Sequence, residues 1–181
     1  MVAPPVGRGT LLRRLWLAAA CAAALIVAAP AAAEVDPGGT PGSGTEPPLT
    51  LAWPASGTVT RGFGDDPVLG DFHPGVDIGS LRSLAVHAAA PGVVEQVGYT
   101  TGFDGYGQIV LVGLGDGYQA LYAHLSRVDA HPGELVETGA ELGLAGSTGL
   151  STGVHLHFEL RRFGKAFDPA PLLPPANPTV P

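Results

Sequence analysis

Two apolar runs, Gln108-Ile109-Val110-Leu111-Val112 and Tyr118-Gln119-Ala120-Leu121-Tyr122-Ala123, stand on either side of Asp116-Gly117 and decide the fold class. Both residues of that dipeptide tolerate positive φ, so the pattern predicts an antiparallel hairpin. No amphipathic helix of three or more turns is evident. The sequence therefore predicts an all-β, loop-rich sandwich of two antiparallel sheets with little helix. Similar short runs, nearly all bounded by Gly, Pro, Asp or Ser, occur at 58–61, 85–88, 92–97, 141–145 and 154–160.

The N-terminal segment has the pattern of an export signal. Basic residues within 8–14 precede an apolar run at 15–29 and an Ala-rich site at 31–33. A basic region, an apolar region and a small-residue site predict a secretory signal peptide over residues 1–33, cleaved before Glu34. An uncleaved membrane anchor is the alternative. Cleavage would leave a protein outside the cytoplasm, in the cell envelope or secreted, with no stable membrane contact.

The rest of the chain divides by composition into three parts. Pro- and Gly-rich residues 34–48 predict a flexible linker, and Pro-rich residues 169–181 predict an extended tail. Residues 49–168 between them are enough for one domain with a modest hydrophobic core. The one cysteine, Cys21, falls in the predicted signal, so the mature chain would form no disulfide.

The charge balance is acidic and excludes one class of partner. The chain has 16 acidic and 9 basic residues, a formal net charge of −7. Loss of residues 1–33 removes three of the 9 basic residues and none of the 16 acidic ones, so the mature charge is −10. Nucleic-acid binders carry clustered basic residues instead. We therefore expect no nucleic-acid partner.

The histidines point to a metal site. His155 and His157 are two apart on a predicted strand and so project from one face. Between His73 and Asp77 a Pro-Gly pair rules out a helix and predicts a turn into a short strand, which can bring both side chains to one cation. His124 ends an apolar run. Two imidazoles and one carboxylate suit Zn²⁺ and leave a fourth position for water, as in a catalytic site. Spacing alone does not decide which histidine of the pair reaches the metal.

These residues and their neighbours make the chain resemble the lysostaphin/LytM-like peptidoglycan zinc metalloendopeptidases. The resemblance covers nearly all of residues 49–169, with the motifs in the order typical of that family. The matching stretches are His73-Pro74-Gly75-Val76-Asp77-Ile78, Pro91-Gly92-Val93-Val94, Gly105-Tyr106-Gly107, Gly115-Asp116-Gly117-Tyr118, Leu121-Tyr122-Ala123-His124-Leu125-Ser126, and Gly146-Ser147-Thr148-Gly149 through His155-Leu156-His157-Phe158-Glu159.

The resemblance implies a function and a set of roles. His73, Asp77 and His157 would hold zinc at the floor of a groove, and His124 and His155 would act on the substrate or on the attacking water. The implied protein is a secreted zinc endopeptidase that hydrolyses peptide cross-bridges of bacterial peptidoglycan. Degenerate members of the family lose these residues and activate other hydrolases, whereas this chain keeps all five. A non-catalytic module that binds cell wall or activates a hydrolase is the alternative, and an activator protein of the enzyme itself would be a further, unidentified partner.

Three other residues near these motifs have simpler interpretations. His87 lies in a predicted strand, and His131 precedes a Pro-Gly turn where we expect it to be solvated. Glu159 shares the strand face of His157. It would either support the metal site from behind or form a surface salt bridge with Arg161.

Overall fold

The computed structural model describes residues 49–65 and 70–175. The predicted signal peptide (1–33) and linker (34–48) lie outside the described residues. Within the described ranges, no helix has both the length and the apolar character needed to cross a membrane.

The described part of the chain is built almost entirely of strands, with one short 3₁₀ helix at Ala170–Leu172. The strands are β1 (Thr58–Arg61), β2 (Gly64–Asp65), β3 (Phe72–His73), β4 (Val76–Gly79), β5 (Ala85–His87), β6 (Gly92–Gly98), β7 (Gln108–Gly115), β8 (Tyr118–Leu125), β9 (Arg127–Val128), β10 (Leu135–Val136), β11 (Glu141–Leu144), β12 (Leu156–Arg162) and β13 (Lys165–Phe167).

All strand pairs are antiparallel, which confirms the predicted fold class. The main sheet has the order β1-β4-β12-β8-β7-β6-β10, with β13 paired to β12. A second sheet has the order β5-β11-β9, and β2 and β3 form a separate ribbon. The sheets are thus unequal in size. The predicted hairpin is β7–β8, and its turn residues Asp116 and Gly117 have φ of 49° and 76°, as that turn requires.

Side chains of the two central strands alternate between two apolar layers. On one face of β7 and β8, Val110, Val112, Ala120 and Tyr122 join the main core, which also takes in buried residues of the second sheet. This core lies between the two sheets. Each large side chain buried there contributes roughly 1.5–3 kcal/mol through the hydrophobic effect.

The opposite face of the main sheet carries a smaller apolar layer. Ile109, Leu111 and Leu121 are buried there beneath Phe103 and Tyr106, which belong to the β6–β7 connection. We call this the outer face. It matters for function because the polar residues of the neighbouring strands β4 and β12 also point to it.

The start of the predicted tail packs against the domain. Leu173 is buried, the Leu51 N–H donates to Leu172 O at 3.1 Å, and Trp53 Nε1 donates to Pro174 O at 3.0 Å. Residues 176–181 lie outside the described residues. The domain boundary at residue 168 stays a prediction.

Candidate metal centre

Strand register places a carboxylate and an imidazole side by side on the outer face. His157 of β12 pairs with Asp77 of β4. Their chain neighbours Val76, Ile78 and Phe158 are all buried in the core. Because successive side chains of a strand point to opposite faces, Asp77 and His157 must point outward.

His73 reaches the same place from the end of β3. The turn that follows it crosses tightly over β12: a Cβ on Gly75 would lie 2.3 Å from Phe158 O. Only glycine permits that approach. The sequence prediction of a turn into a short strand between His73 and Asp77 agrees with the structure.

Three potential ligand atoms converge at this point. His73 Nε2 lies 3.1 Å from His157 Nδ1 and 3.2 Å from Asp77 Oδ1, and the latter two atoms are 2.8 Å apart. Ligands bonded to a tetrahedral zinc ion lie ~3.4 Å from one another. The three atoms need to separate only slightly to hold such an ion, and two nitrogens with one oxygen form a donor set that zinc accepts.

The remaining nitrogen of each of these two histidines has a partner of its own. His73 Nδ1 donates to Gly62 O at 2.7 Å, and His157 Nε2 donates to Glu159 Oε1 at 3.0 Å. When the ring is neutral, a proton held there leaves the other ring nitrogen, His73 Nε2 or His157 Nδ1, with a lone pair that can bind a metal ion. Such outer partners fix the tautomer and ring orientation of metal-binding histidines.

Glu159 is fully buried at the centre of this arrangement. Besides His157, its Oε1 accepts a hydrogen bond from Tyr106 Oη at 2.7 Å. Its Oε2 lies 2.9 Å from Arg161 Nε in an ion pair without hydrogen-bond alignment, and the guanidinium also stacks 5.3 Å from the Phe103 ring centroid. The structure shows both contacts expected for Glu159, one to His157 of the metal cluster and one to Arg161. The carboxylate of the salt bridge is buried rather than on the surface.

Two pKa shifts follow from this packing. Burial alone would raise the pKa of Asp77, but hydrogen bonds from His157 and His73 outweigh it and hold that pKa well below its usual range. Burial alone would lower the pKa of His157, but its hydrogen bonds to Asp77 and Glu159 outweigh it and raise that pKa. In the metal-free cluster both shifts favour a charged imidazole beside an ionised carboxylate.

His124 faces the same centre because of an irregularity in β8. Strict alternation would point it into the core with Ala120 and Tyr122. Instead Ala123 and His124 both lie opposite the single residue Ile109, a β-bulge, and His124 has φ of 60°. A left-handed backbone at a residue other than glycine is strained by about 1–3 kcal/mol. The bulge turns the imidazole to the outer face, where its ring centroid lies 5.8 Å from that of His157.

His124 and His155 form a second pair of imidazoles beside the first. Their ring centroids are 4.8 Å apart. His124 Nδ1 donates to Thr148 O and His155 Nδ1 donates to Gly153 O, each at 2.8 Å. Among the described residues, no backbone group forms a hydrogen bond with either Nε2 atom, and His155 Nε2 lies 3.6 Å from Asp77 Oδ1. Burial is the main cause of a lowered pKa for His124, which favours its neutral form.

All five predicted site residues line one cavity of about 380 Å³: His73, Asp77, His124, His155 and His157. The other two histidines do not take part. His87 is half-buried in β5 of the second sheet, and His131 has an 84% exposed side chain, so both interpretations from sequence agree with the structure.

Two contributors were not predicted from the sequence. Tyr106, in a Gly-Tyr-Gly stretch, lines the cavity and holds Glu159; its own pKa is raised by burial and by that hydrogen bond, so it stays a donor. Thr148 orients His124 through its carbonyl, while its Oγ1 donates to Leu125 O at 2.8 Å. The glycines on either side of Tyr106 indicated that the chain packs tightly here, but not which residues it packs against.

The sequence of the domain that carries this cluster also matches a known protein family. Residues 71–169, more than half of the chain, match the model of Peptidase family M23, and the chain belongs to that family. This confirms the resemblance inferred from the sequence motifs.

Relatives of this chain include a lipoprotein, a murein hydrolase activator and a carboxypeptidase/endopeptidase. A lipoprotein NlpD/LppB homolog of Pseudomonas aeruginosa is 38% identical over 123 residues, 68% of this chain and 39% of the relative. The murein hydrolase activator NlpD of Salmonella typhimurium is 31% identical over 82% of this chain and 38% of its own length. The DD-carboxypeptidase/endopeptidase Mpg of Neisseria meningitidis is 39% identical over 54% of this chain and 22% of its own. The match thus spans well under half of each relative.

Solved structures agree with the fold. The catalytic domain of the antimicrobial peptidase lysostaphin from Staphylococcus simulans is 31% identical with a TM-score of 0.56, over 63% of this chain and 90% of that domain. A zinc-containing peptidase from Vibrio cholerae is 29% identical with a TM-score of 0.56, over 66% of this chain and 37% of that one.

Proposed function

We propose that this protein is a zinc endopeptidase that hydrolyses peptide cross-bridges of bacterial peptidoglycan. One observation carries the proposal: three mutually close ligand atoms and two further imidazoles open onto the same groove. A site that only stabilised the fold would normally be closed by a fourth protein ligand. The likeness to lysostaphin and to the Neisseria endopeptidase supports this substrate class.

In this proposal His73, Asp77 and His157 hold the zinc ion. Bound zinc would supply Lewis-acid chemistry, lowering the pKa of a water molecule and polarising the scissile carbonyl. Asp77 is ready to bind as an anion because its pKa is depressed in the metal-free cluster, and Glu159 holds the His157 ring in the ligating tautomer. The site therefore keeps a fixed donor set for the metal.

His124 and His155 supply the proton chemistry. Each holds its Nδ1 proton on a backbone carbonyl, so each Nε2 accepts a proton when the ring is neutral and donates when it is charged. One ring can thus take the proton of the attacking water while the other stabilises the charge that develops on the carbonyl oxygen. The lowered pKa of His124 keeps it neutral near pH 7, which suits it to accept the proton.

The test compares four proteins on purified peptidoglycan, with mass spectrometry of the released muropeptides and zinc measured on the same preparations. Wild type should release cross-bridge fragments. His155→Ala and His124→Ala should retain zinc and lose ~10²-fold in rate, the scale of a lost general base or oxyanion donor. His157→Ala should lose both zinc and activity. Equal zinc loss in the His155 and His157 variants would refute the division of roles.

The alternative function is activation of another hydrolase. The observation that favours it is the likeness to the Salmonella murein hydrolase activator over 82% of this chain. A wild-type protein that is fully loaded with zinc, releases no fragment alone and stimulates a separate murein hydrolase on the same peptidoglycan would establish the activator and refute the enzyme.

We also propose that the protein works outside the cytoplasm. The predicted signal at residues 1–33 and the lipoprotein names of relatives support this location. Edman sequencing of the exported protein should find Glu34 at the N-terminus. An intact Met1 on a membrane-bound product would show an anchor instead.

A further inference from the structure

The cavity that holds the candidate metal centre, called the central cavity below, continues on both sides along the outer face. On one side a cavity of about 300 Å³ shares Asp104 and Gly105 with it. On the other side a cavity of about 270 Å³ shares Asp77, Thr152 and His155. Together the three make one groove that can take an extended peptide across the candidate metal centre.

The two arms of this groove differ in charge. The arm beyond His155 is lined by uncharged groups such as Thr60, Ser80 and Val154, apart from Asp77 itself. The other arm has Asp104 at its junction with the central cavity. The groove therefore presents a carboxylate on one side of the metal centre.

Asp104 is also the one charged residue of the described groove lining that has no charged or hydrogen-bonding partner. Among the residues that line the groove, Asp77 belongs to the metal cluster and Arg61 is ion-paired with Asp71. Asp104 is exposed, and no described residue forms a hydrogen bond or ion pair with it. An exposed carboxylate at a cavity rim is available to a cation of the substrate.

We infer that Asp104 selects peptides that carry a primary ammonium group on the side chain of a residue near the scissile bond. This rests on the proposed function, whose substrate it specifies: cross-bridges built on a diamino acid rather than on glycine or an acidic residue. An extended peptide advances about 3.3 Å per residue. Asp104 lines the same cavity as His124 and His157, so the ammonium group belongs to a residue within about two positions of the cleaved bond.

The test uses quenched fluorescent peptides based on the cross-bridge that the wild type cuts. Ornithine, its neutral near-isostere 5-hydroxynorvaline, or glutamate stands at each position within two of the scissile bond, with the N-terminus acetylated so that the side chain is the one cation. A matching set of peptides with a free N-terminus tests whether an N-terminal ammonium group is recognised instead of the side-chain ammonium group. The measured quantity is the kcat/KM ratio of the ornithine peptide to the 5-hydroxynorvaline peptide at low salt.

The wild type should prefer ornithine by about two- to five-fold at one position, the size of an exposed ion pair, and lose that preference near 0.5 M salt. The ratio should fall to about one in Asp104→Asn and below one in Asp104→Lys, which should favour glutamate. Asp116→Asn, the same change in the exposed β7–β8 turn, should keep the wild-type ratio.

A wild-type ratio near one at every position, or a preference that survives in Asp104→Asn, would overturn the inference. A preference confined to the free N-terminus would overturn the side-chain assignment. If no peptide is hydrolysed, the proposed function fails by itself. Equilibrium binding of the same peptides, followed by fluorescence anisotropy, then decides whether Asp104 still discriminates charge.

Discussion

Replacing Glu159 by Gln changes the outer support of the metal cluster without changing its shape. The carboxylate is fully buried, accepts from His157 and Tyr106 through Oε1, and faces Arg161 through Oε2. An amide has one oxygen and one NH₂ group, so it cannot accept on both sides. If its NH₂ faces Arg161, two donors meet; if it faces His157 Nε2, that ring must move its proton to Nδ1, where the metal should bind.

Either orientation weakens zinc binding. Loss of an outer hydrogen bond to a metal-binding histidine typically costs ~10- to 100-fold in affinity, or about 1.4–2.7 kcal/mol. We expect the zinc Kd of Glu159→Gln to rise by that factor in chelator competition. The fold should weaken as well, because Arg161 loses its buried counter-charge, a change that costs up to about 3–5 kcal/mol when burial is complete. The Arg161 side chain is 21% exposed, so the loss should be below that range.

The control is Glu141→Gln, which removes an exposed carboxylate that also faces an arginine, Arg127. It should leave both the zinc Kd and the free energy of unfolding within about 0.5 kcal/mol of wild type. Urea unfolding of the metal-free proteins separates the two effects. A metal-free Glu159→Gln protein that is folded and binds zinc within about two-fold of wild type would refute the reasoning.

Three further outcomes are expected. His73→Ala and Asp77→Ala should each lose zinc in elemental analysis while His87→Ala, on the second sheet, keeps a full equivalent; retained zinc in either of the first two would show that the ligands are wrong. Zinc affinity should fall as the pH is lowered, and the fall should begin at a higher pH than for an ordinary histidine, because hydrogen bonds raise the pKa of His157 despite its burial and the ring must lose its proton to bind metal; a pH-independent Kd would contradict this. Gly75→Ala should lower the free energy of unfolding by about 1–3 kcal/mol, whereas Gly62→Ala, where nothing lies within 4 Å of the added Cβ, should leave it unchanged or raise it slightly; equal effects in urea would refute the close-approach argument.

Local sequence patterns were sufficient to predict the longer strands and part of the site, but not the two- and three-residue strands β2, β3, β9, β10 and β13. Alternation in 108–112 and 118–123 specifies two faces, and the Asp-Gly turn specifies the hairpin between them. The same rule put His155 and His157 on one face. The Pro-Gly pair after His73 indicated a turn. These predictions depend on contacts within a few residues, which the sequence displays directly.

The other parts of the site depend on residues far apart in the chain. Tyr106 and Glu159 are 53 positions apart, and Thr148 orients His124 across 24 positions. The burial of the Glu159 salt bridge requires the β6–β7 connection to cover the outer face, which no strand pattern shows. The bulge at His124 breaks the alternation that predicted the strand, so the pattern itself would have turned this ring into the core.

The distribution of buried polar groups gives an argument about why this face is built as it is. Five polar or charged residues are buried among the described ones, and all except Ser56 belong to the outer-face cluster: His73, His124, His157 and Glu159. Burying such groups costs free energy unless each has a partner, and leaving His124 strained adds to that cost. Apolar side chains would fill these positions with less loss, as they do in the core on the other side of the same strands. Departures from local rules concentrate where a protein performs its function. The destabilising polar groups and the strained backbone thus lie in the wall of one groove. This distribution is expected if selection acted on the chemistry of the groove rather than on the stability of the sheet.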